Sequence, residues 1–272
     1  MFNASVGRIG ALSKIIIIDG IRCYVVLGLL LLALGAEISS LFFYRFIPRN
    51  IDQFACDFVL SIGWMIGLLF LFFHSVQTVS WGGDNRTIQA VLARPLSRAN
   101  YVFGLFIGLA LLLSLLNFII ALLGLCNILF IKNAAGSYFQ NFSYPFYILS
   151  WAGLLGMELM ILSAILFFSS IMRGSFPVLL LTICYYFTCN GLPVVRETLG
   201  ESLSIDSGFV RLLQWMTLIF PDFSRHDYRE FIINSQNLPS AFLLISNFSY
   251  AILYSVFFLY MAGVIYQQRD LS

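Results

Sequence analysis

Residues 101–131 read YVFGLFIGLALLLSLLNFIIALLGLCNILFI, and from Tyr101 to Ile131 no side chain is charged. A hydrocarbon core about 30 Å thick is crossed by about 20 residues of α-helix, so this run spans with residues to spare. Inside hydrocarbon every backbone N–H and C=O must be satisfied within the protein, which leaves helices or a closed barrel. Barrel strands alternate polar and apolar residues, and this run does not. Working outward, the same character recurs at Cys23–Phe43, Phe58–Val79, Phe146–Ile171, Ser175–Val194 and Ala241–Tyr266. The predicted fold class is therefore an all-α integral membrane protein whose six transmembrane helices form one bundle over residues 1–272.

The composition agrees. Of 272 residues, 60% are hydrophobic and 10% charged, against roughly a quarter charged in an ordinary soluble domain. A mean hydropathy of +0.90 points to lipid as the solvent. The net charge is +2 and the 15 Lys and Arg never form a run, which argues against nucleic acid as a partner. Cys23, Cys56, Cys126, Cys184 and Cys189 lie in or beside apolar stretches with no CxxC spacing, and read as small buried hydrophobes.

An even number of spans puts both termini on one side. Arg8, Lys14, Arg22, Arg86, Arg94, Arg98, Arg173 and Arg269 fall on the terminal side; Arg45, Arg49, Lys132, Arg196, Arg211, Arg225 and Arg229 fall opposite. The split is nearly even, and discounting the long 195–240 segment tips it toward cytoplasmic termini. The first run follows basic residues and contains Ala33-Leu34-Gly35, as a cleaved leader would. Its lead-in is too long for one and its apolar core continues through Leu41-Phe42-Phe43, so it is read as a span.

Three segments lie outside the spans. In residues 1–22, Arg8, Lys14, Asp19 and Arg22 share one side of a helix at about 100° per residue, which predicts an N-terminal interfacial helix; Ile15 and Ile18 intrude on its polar side. Phe209–Phe220 is apolar except for Arg211, Gln214 and Thr217, too short to span and ended by Pro221. It reads as an interfacial or re-entrant helix on the outer side, with a seventh crossing as the alternative.

The third segment, residues 80–100, carries the functional signal. Gly82-Gly83 frees the chain from the second span, Asp84 or Asn85 caps a short helix over Thr87–Ala93, and Pro95 stops it. Ile88, Val91 and Leu92 form an apolar edge flanked by Arg86, Arg94 and Arg98. Such a helix suits a groove on a partner protein; the same residues equally suit an interfacial helix with arginines reaching lipid phosphates.

The string Arg86-Thr-Ile, Leu92-Ala-Arg94-Pro95-Leu-Ser97-Arg98, Tyr101-Val-Phe-Gly104 resembles the cytoplasmic loop of type-2 ABC exporter permeases, in the branch associated with multicopper-enzyme maturation. Asp19-Gly20-Ile21-Arg22 before the first span and Leu218-Ile-Phe-Pro221-Asp222-Phe223-Ser-Arg225-His-Asp227-Tyr-Arg229 before the last agree with that family. The chain departs from it at Leu105, where the family commonly has Lys, and at Asp84, where it commonly has Glu. The resemblance implies a permease subunit in a bacterial cytoplasmic (inner) membrane, with a coupling helix at about Asp84–Leu92. The interface with the ATPase would comprise Asp84, Arg86, Thr87, Ile88, Val91, Leu92, Arg94, Pro95, Ser97 and Arg98. The chain has no Gly-x-x-x-x-Gly-Lys-Ser/Thr loop, so ATP and Mg would be bound by a separate nucleotide-binding subunit, and this chain would not be an enzyme by itself. A second permease subunit, identical or related, and an accessory protein complete the implied assembly.

At membrane depth Glu158 stands out. An ionised carboxylate there costs at least about 2.5 kcal/mol on insertion scales, so it should face the bundle interior, protonated or paired. Glu158, Asn117 and Asn190 are the candidate translocation path. The alternative is a structural hydrogen bond between helices through Asn117, Asn127 or Asn190. His74, Gln77 and Glu37 lie near span ends and are read as reaching the interface. His226 with Asp222 and Asp227 is read as a solvated loop, and no metal site is assigned. Gly104 and Gly108 fit a close helix contact, in a dimer seam or within the bundle. Competing functions are a secondary transporter, for which repeated halves are not visible, and a noncatalytic membrane scaffold of the same architecture. An intramembrane enzyme would need clustered titratable groups that Glu158 alone does not supply.

Overall fold

The computed structural model describes residues 2–46, 50–84, 98–134, 139, 142–201, 215, 220–233 and 239–268. These form α1 (Phe2–Arg22), α2 (Val25–Phe43), α3 (Ile51–Leu69), a π-helical segment (Phe70–Ser75), α4 (Val76–Asp84), α5 (Arg98–Ala134), α6 (Tyr144–Ile171), α7 (Ser175–Glu201) and α8 (Ala241–Gln268), with short 3₁₀ turns at Tyr44–Phe46, Phe223–His226 and Arg229–Ile232. No strand occurs among the described residues. Six helical stretches are long and apolar enough to cross a membrane: Val25–Phe46, Ile51–Ser80, Asn100–Ala134, Tyr144–Ile171, Ser175–Val195 and Ala241–Gln268. The protein is thus a multi-pass, all-α membrane protein. The second crossing begins at Ile51 rather than Phe58, so Asp52 and Asp57 ride on its first turns.

The bundle is organised around α5. Leu109, Leu112, Leu113, Leu116, Ile120, Ile128 and Ile131 are fully buried. Their three-and-four spacing makes one continuous stripe along the helix. Phe103, Ile107, Leu111, Leu115, Phe118 and Leu122 form the opposite, exposed stripe. Because both stripes are apolar, hydropathy alone cannot tell the buried side from the lipid side.

At 37 residues, α5 is about 55 Å long, well beyond one hydrocarbon thickness. Its neighbours show where the surplus lies. Glu37 of α2 meets Asn127, so the ends of α2 and α5 are level on the face opposite the termini. On the remaining half, Leu12 lies on Gly104, Ile16 on Gly108 and Gly20 against Leu112. These pairs keep one constant sequence offset, so α1 runs parallel to α5. The stripe Leu12, Ser13, Ile16 and Gly20 is buried by α5, and Ser13 Oγ donates to the Gly104 carbonyl at 3.1 Å. The N-terminal segment is a helix as expected, but its buried side is given to a neighbour; Lys14, Asp19 and Arg22 are exposed, as are Ile15 and Ile18. The joint between α1 and α2 falls at Tyr24, whose φ of 55° is unusual for a residue with a side chain.

Close approach is bought by glycine in several places. The Gly104–Gly108 pair seats α1 within the bundle, which answers what that motif serves in this chain. Gly63 lies beneath the Trp151 indole and Gly67 beneath the Glu158 carboxyl, drawing α3 onto α6. A Cβ at Gly104 would stand 2.6 Å from Leu12 Cδ2, whereas one at Gly28 meets nothing within 4 Å. Gly104→Leu is therefore expected to destabilise the detergent-solubilised protein by about 1–3 kcal/mol through overpacking, with Gly28→Leu close to neutral. Thermal unfolding of the two variants side by side checks this.

Candidate functional site

The sequence-predicted docking loop lies outside the described residues from Arg86 through Ser97, including Thr87, Ile88, Val91, Leu92, Arg94 and Pro95. Asp84 closes α4 and Arg98 opens α5, which fixes only where the loop leaves and returns. Of the Phe209–Phe220 helix, only Trp215 and Phe220 are described.

Glu158 is fully buried on α6. Asn117 of α5 donates through Nδ2 to Glu158 Oε2 at 2.5 Å and to the Leu113 carbonyl at 3.3 Å. The other carboxyl oxygen lies against Gly67 without a hydrogen-bond partner among the described residues. Of the three asparagines considered, Asn117 is the one brought to Glu158. Asn190 donates to the Tyr186 carbonyl of its own helix at 3.2 Å and lines a different cavity. Asn127 serves a second buried carboxylate that sequence reasoning left at the interface. Glu37 is 5% exposed; Asn127 Nδ2 donates to its carboxylate, to its carbonyl at 3.0 Å and to Ser40 Oγ at 2.6 Å. His74 also departs from expectation: it is buried, with Nε2 facing the Gly20 position of α1, while Gln77 is exposed. Both differences arise because α5 and α1 cover the span ends that a single helix would leave open. Asn117 and Asn127 are ten positions apart on α5, about 15 Å along its axis, so the two amide–carboxyl pairs form separate layers.

On the face opposite the termini, residues 220–233 fold into the bundle instead of forming a solvated loop. Two 3₁₀ turns, Phe223–His226 and Arg229–Ile232, carry Phe223, His226, Tyr228 and Ile232 inward, all buried. Gly153 and Gly156 of α6 make room: the His226 carbonyl and Tyr228 ring sit at the first, the His226 ring edge at the second. Asn247 of α8 ties the loop down. Its Nδ2 donates to the Arg225 carbonyl at 2.8 Å and to Tyr228 Oη at 3.0 Å, and its carbonyl lies 3.1 Å from His226 Nε2. Asp222 accepts from the Ser224 N–H at 3.1 Å and hydroxyl at 2.6 Å, and Asp227 pairs with Arg229 at 3.4 Å. Asp222, His226 and Asp227 thus face different partners, and no metal-holding group of three occurs among the described residues.

The loop roofs a cavity of about 250 Å³ between α3, α6 and α7, lined by Leu60, Trp64, Leu154, Met157, Asn190 and His226 among others. Ser224, Asp227 and Arg229 line both this cavity and a wider cleft of about 1020 Å³ that also holds Asn50, Asp52, Gln53, Asp57 and Glu230. A polar vestibule therefore leads to an apolar chamber. Arg229 stands at the junction, its guanidinium 5.2 Å over the Trp64 ring and Nη1 donating to Ser61 Oγ at 3.2 Å. Sequence reasoning missed Asn247 and Trp64 and gave Arg229 no role of its own; a lone asparagine in a final apolar span was the signal available for the first.

Two outcomes are expected. Asn117→Leu strands a buried acceptor and should cost about 1–3 kcal/mol in thermal unfolding, while Glu158→Gln, which still offers Asn117 a carbonyl oxygen, should be far milder. Burial pushes His226 below the ordinary histidine range, outweighing the raising effects of the Asn247 carbonyl and Asp222; Arg225 adds to the lowering. The unfolded chain then takes up the proton first, so the stabilisation is present above the unfolded value of about 6.5 and is lost as pH falls toward the lower folded value. Melting temperature should decline below about pH 6.5, and His226→Phe should flatten that decline.

No protein-family model matches the chain, and no curated protein is significantly similar to it.

Proposed function

We propose that this chain is the membrane-embedded permease subunit of an ATP-driven ABC exporter, coupling hydrolysis by a separate nucleotide-binding subunit to movement of substrate across the membrane. The observation that carries the reading is mechanical. The 85–97 segment, whose sequence resembles a coupling loop, is held between two helical columns that exceed what a bilayer requires: Ile51–Asp84 on one side and Arg98–Ala134 on the other. The surplus half of α5 is sheathed lengthwise by α1, which stiffens the base from which the loop extends. A force applied to such a loop is delivered to whole spans instead of being lost in a flexible linker.

In this reading the termini and the loop are cytoplasmic, and the 220–233 roof and its vestibule face outward. The ATPase subunit binds ATP and Mg and seats Ile88, Val91 and Leu92 of this chain in its groove. A second permease subunit, identical or related, completes the membrane part, with lipid around it and an accessory protein as a further partner. Glu158 and Asn117 then act as a fixed joint between α5 and α6, and Asn190 lies on the wall of the outward cavity.

Co-purification with a nucleotide-binding subunit and ATP-dependent transport in proteoliposomes separate this reading from a noncatalytic scaffold and from a secondary transporter. Leu92→Asp, or deletion of Thr87–Ala93, is expected to abolish stimulation of the ATPase while leaving membrane insertion and melting temperature intact. Normal transport by either variant would remove the coupling role.

A further inference from the structure

The chamber beneath the 220–233 roof is covered by a loop whose hold on the bundle converges on one histidine. The ends of the loop are tied to the neighbouring helices. The Asp222 N–H donates to Tyr250 Oη of α8 at 3.1 Å, and the Ser143 N–H, just before α6, donates to the Ile232 carbonyl at 3.0 Å. The middle is held by Asn247 alone, which bonds the Arg225 carbonyl, the His226 ring and Tyr228 Oη together. His226 sits at the centre of that clamp and is 4% exposed. Its carbonyl is seated at Gly153, and its ring edge lies 3.5 Å from where a Cβ of Gly156 would stand. The loop is therefore a strap fixed at both ends, with its middle pressed into a glycine seat on α6.

That seat fits a neutral imidazole and not a charged one. Nε2 carries the hydrogen and donates it to the Asn247 carbonyl at 3.1 Å. Nδ1 is buried and has no hydrogen-bond partner among the described residues. A proton taken up at Nδ1 would create a second donor with no acceptor, and a positive charge held away from water, which is costly to bury. The surrounding elements do not relieve that cost. At the seat α6 presents Gly153 and Gly156, while α8 presents the Asn247 carbonyl and the Phe248 ring. Glu158 of α6 is engaged at Gly67 and Asn117, and across the chamber α3 and α7 bring Trp64 and Asn190. On the loop itself, Asp227 and Arg229 pair with each other. Asp222 favours the charged ring, as the Asn247 carbonyl does, and Arg225 opposes it; burial outweighs them all and holds His226 below the ordinary histidine range.

We propose that the 220–233 loop is an acid-released lid: neutral His226 closes it over the chamber, and protonation of His226 frees its middle from α6 and opens the chamber to the face opposite the termini. The lid opens locally, because the clamp on Asn247 is lost while the helices beneath keep their own contacts. The sign follows from linkage. The open lid exposes an imidazole of ordinary basicity and so binds the proton more tightly than the closed lid, which makes opening more favourable as pH falls below about 6.5. This goes beyond the exporter reading and does not require it, since every residue used lies on the face opposite the coupling loop.

The test is hydrogen–deuterium exchange of the full-length protein in lipid nanodiscs, read by mass spectrometry at about pH 7.5 and about pH 5, either side of the ordinary histidine value. Rates are corrected for the intrinsic pH dependence of amide exchange. Peptides covering 220–233 report the lid, and peptides of α5 report the bundle. Lid protection is expected to fall by up to about thirtyfold on acidification, since each pH unit below about 6.5 favours the open form about tenfold, while α5 stays protected. His226→Gln, which keeps a donor for the Asn247 carbonyl and cannot take up the proton, should hold lid protection equal at the two pH values. Melting curves at the higher pH report whether that variant is folded; if it is not, the comparison of lid with α5 in the unaltered protein still decides. Unchanged lid protection, a loss shared equally by α5, or the same loss in folded His226→Gln would overturn the proposal.

Discussion

Two carboxamides on one helix hold the bundle in register. Asn117 and Asn127 of α5 reach in different directions, the first to Glu158 of α6 and the second to Glu37 of α2. Burying a carboxyl group in a lipid-surrounded interior is expensive unless it is hydrogen-bonded. Answering it with Lys or Arg would bury a second ion whose desolvation can exceed the attraction gained. A neutral amide avoids that cost and still supplies a directed donor, so sliding α2 or α6 along α5 by one turn would leave a buried polar group without its partner. Apolar contacts with lipid or leucine are nearly equivalent energetically and could not specify the register by themselves.

Glycine supplies the complementary half of the packing. With little hydrophobic drive between helices in lipid, association depends on close contact. In this chain the small residues are used as sockets for large ones: Gly63 receives Trp151, Gly104 and Gly108 receive Leu12 and Ile16, and Gly153 receives the Tyr228 ring. Such asymmetric contacts define which surfaces meet, because a bulky residue on one helix has a matching gap on its partner. The exposed glycines Gly28 and Gly35, which meet nothing within 4 Å, show that glycine in a span is not by itself a socket.

The same physics explains what the sequence revealed. Six crossings were legible because hydrocarbon imposes a length and a composition on any segment that crosses it. The choice of buried face was not, since both stripes of α5 are apolar. Glu158 was recognisable as a buried group because it sits in the middle of a span. Glu37 and His74 were not, because their burial depends on Asn127 and α1, which are distant in sequence. The 220–233 loop was hardest. Its Asp, Ser, Arg and His read as a solvated connection, and its anchors Phe223, Tyr228 and Ile232 follow no helical or strand period because short 3₁₀ turns carry them. What buries the loop is a pair of glycines on α6 and one asparagine on α8, and neither is adjacent to it in the chain.

The second crossing shows how these constraints meet in one helix. Gly67 and His74 are seven positions apart, close to two turns of α-helix, which would point them toward the same neighbour. They face different ones: Gly67 meets Glu158 of α6 and His74 meets Gly20 of α1. The wider i→i+5 turns of Phe70–Ser75 take up the difference. The crossing nevertheless stays packed on α6 along its whole length. Leu60 and Trp64, which wall the chamber, precede the π-helical turns, and the end that leads to the 85–97 loop follows them, packed against α6 and α7. One crossing thus serves two neighbours, Glu158 of α6 and Gly20 of α1, through a local change of helical pitch.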